Sequence, residues 1–347
     1  MSQPNKWFVG LVPVFVLLLV AGFVRQSPVE SDLVARGNAS LKEAGLEWAK
    51  VSLAGRDAVL TGEAPEPDLR QFAVNAADRA FGVRLVKDAM TVLPEAKPFT
   101  LSAVRDGGRV VLTGFAANAA QKAAIADAAK KSMPEATIVD ELKIARGAPA
   151  SFQAAAGFGL GELSKLSQGT LALSDSALSL TGRAADIPKW GDVRAKLASL
   201  PAGTTLGKGL GQGDILPPIV RPYTFAAEKT EQGVTLSGHV PNDQARAVVV
   251  AAANALGRPV TDRMQIADGA PASYANNVDF ALARLGQLST GQASLTDTSL
   301  TITGRAATIP GFSDVTARLA AMPQGMTLAR QQITPPIVRP YTFAAEK

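Results

Sequence analysis

The chain has 347 residues, 47% of them apolar, a formal charge of +5 and no cysteine. That length holds two or three ordinary domains or a row of smaller ones. Without cysteine there are no disulfides, thiolate metal sites or thiol nucleophiles, and a small charge with no run of Lys or Arg argues against nucleic-acid binding.

At the amino terminus, Trp7–Val24 is free of charge and flanked by Lys6 and Arg25. The stretch just reaches the roughly 20 residues that a bilayer-spanning helix needs. No clean small-residue cleavage site follows it, so residues 1–26 read as an uncleaved anchor, with a cleaved signal peptide as the alternative. The expected arrangement is single-pass in the inner membrane, with the bulk of the chain in the periplasm.

Beyond the anchor, the pattern predicts a helix over Asp32–Ala44 and then a hairpin. Trp48, Val51 and Leu53 lie on its first strand, Ala58 and Leu60 on its second, and Gly55-Arg56-Asp57 forms the turn. Pro65-Glu66-Pro67-Asp68 opens a second helix. Its Leu69, Phe72, Ala73, Ala76, Ala77 and Ala80 recur at three-and-four spacing as one apolar stripe. Val83–Val92 closes this first unit, residues 27–96, as a strand.

The α-β-β-α-β order then recurs. Residues 97–146 repeat it without a leading helix, with Thr113-Gly114 ending the hairpin, Asn118 as a helix cap and Thr137–Ile144 as the closing strand. Residues 147–220 restore the full order: a helix over Phe152–Leu166, a hairpin turning at Asp175-Ser176, a second helix over Ile187–Leu200, and a glycine-rich linker or long hairpin over Gly207–Asp214. Residues 221–268 copy the second unit and 269–338 the third. Residues 339–347 begin a further one.

Ile215–Lys229 returns as Ile333–Lys347 with one change, and Leu180–Pro188 returns as Ile302–Pro310. Such long-period copies mark duplicated modules. Glycines 62, 114, 182, 238 and 304 mark five units, alternately short and long, so a pair of units is the duplicated block. At each, glycine is expected to serve an abrupt turn from strand to helix. One apolar face per hairpin places the helices on one side of the sheet. The last copy stops after its first strand, which suggests a piece of a longer protein.

The hairpin, the apolar-x-apolar-Thr/Ser-Gly step, the helix and the closing strand, as in Val51–Val92 and Val234–Ala267, resemble BON domains (bacterial OsmY and nodulation domains). The whole arrangement is similar to the amino-terminal part of alphaproteobacterial OmpA-family proteins. The fold class expected is therefore α+β: a transmembrane helix, then tandem αββαβ modules, each a three-stranded sheet with helices on one face. The resemblance implies a periplasmic envelope role with phospholipid or other envelope components as partners, and brings no ligand motif.

Individual candidates are few. Arg183 and Arg305 follow the small-Gly step in both long units, where a guanidinium could hold a lipid phosphate by bidentate contact; a solvated loop arginine is the plainer reading. His239 reads as a loop or surface residue. The Gly207–Gly213 run lacks the Gly-Lys-Ser/Thr ending of a phosphate loop. Pro217-Pro218 and Pro335-Pro336 read as rigid spacers or ordinary linkers. No paired carboxylates recur between copies, and one histidine cannot be assembled into a triad. No catalysis, cofactor or metal is expected.

Two functions fit. The array binds or tethers envelope components (phospholipid, peptidoglycan-linked or protein partners) from its membrane anchor. Alternatively, exposed first strands pair with copies in other chains and build a homo-oligomeric ring or pore.

Overall fold

The computed structural model describes residues 5–54, 57–79, 84–207 and 214–337. The Gly55-Arg56 turn, Ala80, Val83, the glycine run at 208–213 and the further unit beginning at 339 lie outside them.

The first unit starts with one long helix, α1 (Asn5–Glu43). A separate helix from Asp32 was expected, but the backbone stays helical through Pro28, since a proline removes one bond of the ladder and need not end it. The expected span, Trp7–Val24, falls on α1. Among the described residues, no helix is long and apolar enough to cross a membrane; the side chains of 7–10, 18–19 and 21–24 lie outside that set. Strands β1 (Ala49–Ala54) and β2 (Asp57–Ala64), helix α2 (Pro67–Asp78), and strands β3 (Leu85–Asp88) and β4 (Thr91–Val92) follow. The one closing strand expected over Val83–Val92 is thus two short pieces, both parallel to β2. Leu41, Val51, Leu60, Ala73 and Met90 form a small core.

The second unit contributes β5 (Thr100–Asp106), β6 (Arg109–Ala116), α3 (Ala119–Ser132) and β7 (Thr137–Ile144). The third adds α4 (Phe152–Leu163), β8 (Leu166–Ser174), β9 (Ala177–Ala184), α5 (Ile187–Leu197), β10 (Thr205–Leu206) and β11 (Ile215–Leu216). These two units share one sheet, ordered β10-β9-β8-β5-β6-β7 with β11 also on β9. The seam is β5 antiparallel to β8, from Thr100 opposite Ser174 to Asp106 opposite Gln168.

The last two units repeat this with β12 (Thr224–Lys229), β13 (Val234–Val240), α6 (Asp243–Asn254), β14 (Val260–Ile266), α7 (Tyr274–Gly286), β15 (Leu288–Thr296), β16 (Ser299–Ala306), α8 (Ile309–Ala320) and β17 (Thr327–Thr334). Their sheet runs β14-β13-β12-β15-β16-β17, sealed by β12 against β15. Each pair has one continuous core. A separate sheet per module therefore describes only the first unit, whose sheet has four strands because the closing strand is split; in the others two such halves merge along their first strands. In the two pairs the first-strand edges, β5 and β12, are used within the chain.

The five marker glycines do have positive φ, from 95° to 151°, but they sit inside β2, β6, β9, β13 and β16, not at a turn. A Cβ at Gly114 would stand 2.3 Å from the Thr100 carbonyl oxygen, and one at Gly238 2.4 Å from that of Thr224. Close approach of the facing strand demands glycine there. On the outer face of the sheet, side chains such as Thr170, Ala172 and Ser174 are exposed or half-buried, while Leu171 and Leu173 point into the core. Helices thus cover one side, as expected.

In the first unit, β1 pairs only with β2 among the described residues. The Leu60 carbonyl accepts from Ala89 on the β3 side, so Val51, opposite Leu60, turns its N–H toward the free edge. Asn38 Oδ1 accepts that N–H at 3.1 Å.

Candidate binding surfaces

The pair seam is pinned at both ends by side chains. Asp175 and Asp297, the turn residues of β8-β9 and β15-β16, adopt the left-handed conformation (φ 51° and 53°). Each carboxylate accepts an N–H of the neighbouring unit, from Phe99 and Tyr223 respectively, both at 2.9 Å. Their own N–H groups donate back to the Phe99 and Tyr223 carbonyls at 2.8 and 2.7 Å. At the other end, Arg105 donates to the Ser164 carbonyl at 2.6 Å, and Lys229 to the Gly286 and Leu288 carbonyls at 3.1 and 2.8 Å. A cation on the first strand thus caps the carboxyl end of its partner unit's helix, where the helix dipole favours positive charge. Burial holds both cations below their ordinary pKa, and the carbonyl oxygens compensate.

Above the seam lies a repeated aromatic trio. Phe99 meets Phe115 at 6.0 Å and Phe152 edge-on at 4.7 Å. In the second pair Tyr223 meets His239 at 5.7 Å and Tyr274 edge-on at 5.4 Å. His239 is therefore a half-buried ring on β13, in the place of Phe115, and not a loop residue. Its Nδ1 lies 3.3 Å from Thr224 Oγ1. The Tyr223 hydroxyl donates to the Ala267 carbonyl and the Tyr274 hydroxyl to the His239 carbonyl. Burial pushes both phenols well above their ordinary range, so they act as donors in the core.

Arg183 and Arg305, the two sequence candidates, are placed differently. Arg183 Nη1 donates to the Pro217 carbonyl at 2.6 Å and ion-pairs with Asp268, at the end of β14 in the next pair. Pro218 accepts from the Asp268 N–H, and the Val220 N–H returns to the Asp268 carbonyl. The Pro-Pro linker is thereby clipped to both pairs. A phosphate at Arg183 would have to displace Asp268. Arg305 is exposed and makes no ion pair among the described residues. The structure does not bring the two arginines together.

An apolar groove of about 280 Å³ runs between α6 and α7. Ala245, Val248, Val249 and Ala252 form one wall and Tyr274, Val278 and Leu282 the other, with Asn242 and Asp279 at the rim. Val248 is 63% exposed. Among the described residues no group of three or more His, Asp or Glu could hold a metal ion.

Compared with known families, residues 38–94 and 229–268 match the BON domain and residues 101–146 a BON-like domain. The chain carries multiple BON domains. A search of the curated proteins finds no match. The matched stretches fall on the first unit and on the leading unit of each pair, and the trailing units complete their sheets with the same β-β-α-β order. The seam contacts of these BON domains were not found from sequence, although Asp175 and Asp297 at equivalent turns were a signal: an aspartate at positive φ earns its place by what its side chain bonds. The α6–α7 groove gave no signal, because its walls read as ordinary core stripes.

Proposed function

We propose that the protein is a non-catalytic, membrane-anchored spacer of the bacterial envelope, its BON domains held outward from the inner membrane into the periplasm as a stiff array that binds envelope components. One observation carries this reading: α1 runs unbroken from an apolar stretch into the first unit. Leu11, Phe15 and Leu17 on it are 58%, 62% and 69% exposed, while Leu33 and Leu41 are buried. Exposed large apolar side chains in succession call for a nonpolar surrounding, and the continuous helix would pass its position straight to the first BON domain. The clipped linkers support stiffness: Thr91-Val92 adds to β2 and Ile215-Leu216 to β9 before each reaches the next unit. The α6–α7 groove suits an acyl chain or another apolar group of an envelope partner.

Flotation with phosphatidylethanolamine–phosphatidylglycerol vesicles tests the anchor. The full chain should float at high salt, and a chain lacking residues 1–26 should not. A full chain that stays at the bottom of the gradient would end the reading.

A further inference from the structure

We propose that the far end of the second pair, presenting Arg305 and Ile309, is a docking face for a further BON unit of the fourth unit's kind. The equivalent face of the first pair shows what such a face does. There Arg183 grips Asp268 and the Pro217 carbonyl, and Ile187 packs against the core of the second pair. Arg305 and Ile309 occupy the same positions: Gly182 precedes Arg183 and faces Ile215 on the linker strand, and Gly304 precedes Arg305 and faces Ile333. Yet Ile309 is 60% exposed and Arg305 has no ion pair among the described residues. Pro335, the counterpart of Pro217, does not bond Arg305 either among those residues. The linker alone does not close the clamp; the acid supplied by the incoming unit does.

Charge selects the occupant. The first unit carries Glu63 where the pairs carry Arg183 and Arg305, and the second unit carries Arg146 where the fourth carries Asp268. The signs are reversed in the sequence on both sides of the first junction, where Arg146 pairs with Glu95 of the linker and Glu63 makes no ion pair among the described residues. A face with Arg305 therefore takes a unit ending its closing strand in aspartate and rejects one ending in arginine. Residues 335–347 repeat, residue for residue, the sequence of 217–229, which leads from the first pair into the fourth unit. This inference does not depend on the membrane assignment.

The test is a chain in which a second copy of Thr230–Thr334 follows Lys347 in register, compared with the 347-residue chain by hydrogen exchange. Residues 304–312 should gain at least tenfold protection, approaching that of 182–190. Arg305→Glu should abolish the gain, and Asp268→Arg in the appended copy should restore it. Unchanged exchange at 304–312, or a gain that survives Arg305→Glu without the compensating change, overturns the proposal. So does protection in the unextended chain that grows with its concentration, since a second copy would then cover the face. Exchange at β13 serves as the folding control.

Discussion

The lone first unit and the fused pairs are built from the same elements, yet only the pairs merge their sheets. Three positions explain the difference. The leading helices α4 and α7 bury Leu160 and Leu282 in the shared core, where α1 has Asn38. The hairpin turns carry Asp175 and Asp297, where the first unit has Gly55. The partner strands bring Arg105 and Lys229 to cap the helix, and among the described residues the first unit has no such neighbour. Asn38 goes further, because its bond to Val51 N–H occupies the group that a neighbouring strand would use. Natural sheets blunt free edges with polar devices of this kind. A few side chains thus decide whether a BON unit stands alone or fuses.

Writing the first unit's residue into a pair should have the largest effect. Leu160→Asn should destabilise the first pair by about 3 kcal/mol, in the range for truncating a buried leucine with a polar group left behind. Both of its units should weaken together in urea denaturation while the second pair is unaffected. Asp175→Gly tolerates the left-handed turn but removes the acceptor for Phe99 N–H, and should cost about 1 kcal/mol of the same transition. The converse change, Asn38→Leu, should cost the first unit about 1 kcal/mol or less and, more tellingly, unblock the β1 edge, giving a concentration-dependent dimer in sedimentation.

The smallest effect is electrostatic. Lys97 and Arg146 hold the Glu95 carboxyl below its ordinary value at the junction between the first unit and the first pair. A carboxylate depressed in the folded state adds stability above its ordinary value of 4.5 and loses it as the pH falls through the lowered value. The first unit's urea midpoint should therefore drop slightly more steeply below about pH 4.5 in the parent than in Glu95→Gln.

Much of this was legible in the sequence. The helical stripes and hairpin patterns correspond to most of the helices and strands, and the β-β-α-β order recurs along the chain. The seam was not legible, because strand pairing between units is written in single residues, Asp175 and Leu160, against a pattern both kinds of unit share. Arg183 reads as a solvated loop arginine, open at most to a phosphate, because its partner Asp268 lies 85 residues away and only the fold brings them together. His239 reads as a loop residue because a glycine such as Gly238 ordinarily ends a strand, whereas here it lets the strand pass close to Thr224.

Five units make three cooperative bodies. Stretching the full chain from residue 27 to its carboxyl end in an optical trap counts them directly. Two long releases of roughly 40 nm each, for ~120 residues at ~3.6 Å per residue, and one about half as long are expected. Five releases of roughly 20 nm, the same spacing for single units, would show that the shared sheets do not bind the units into pairs.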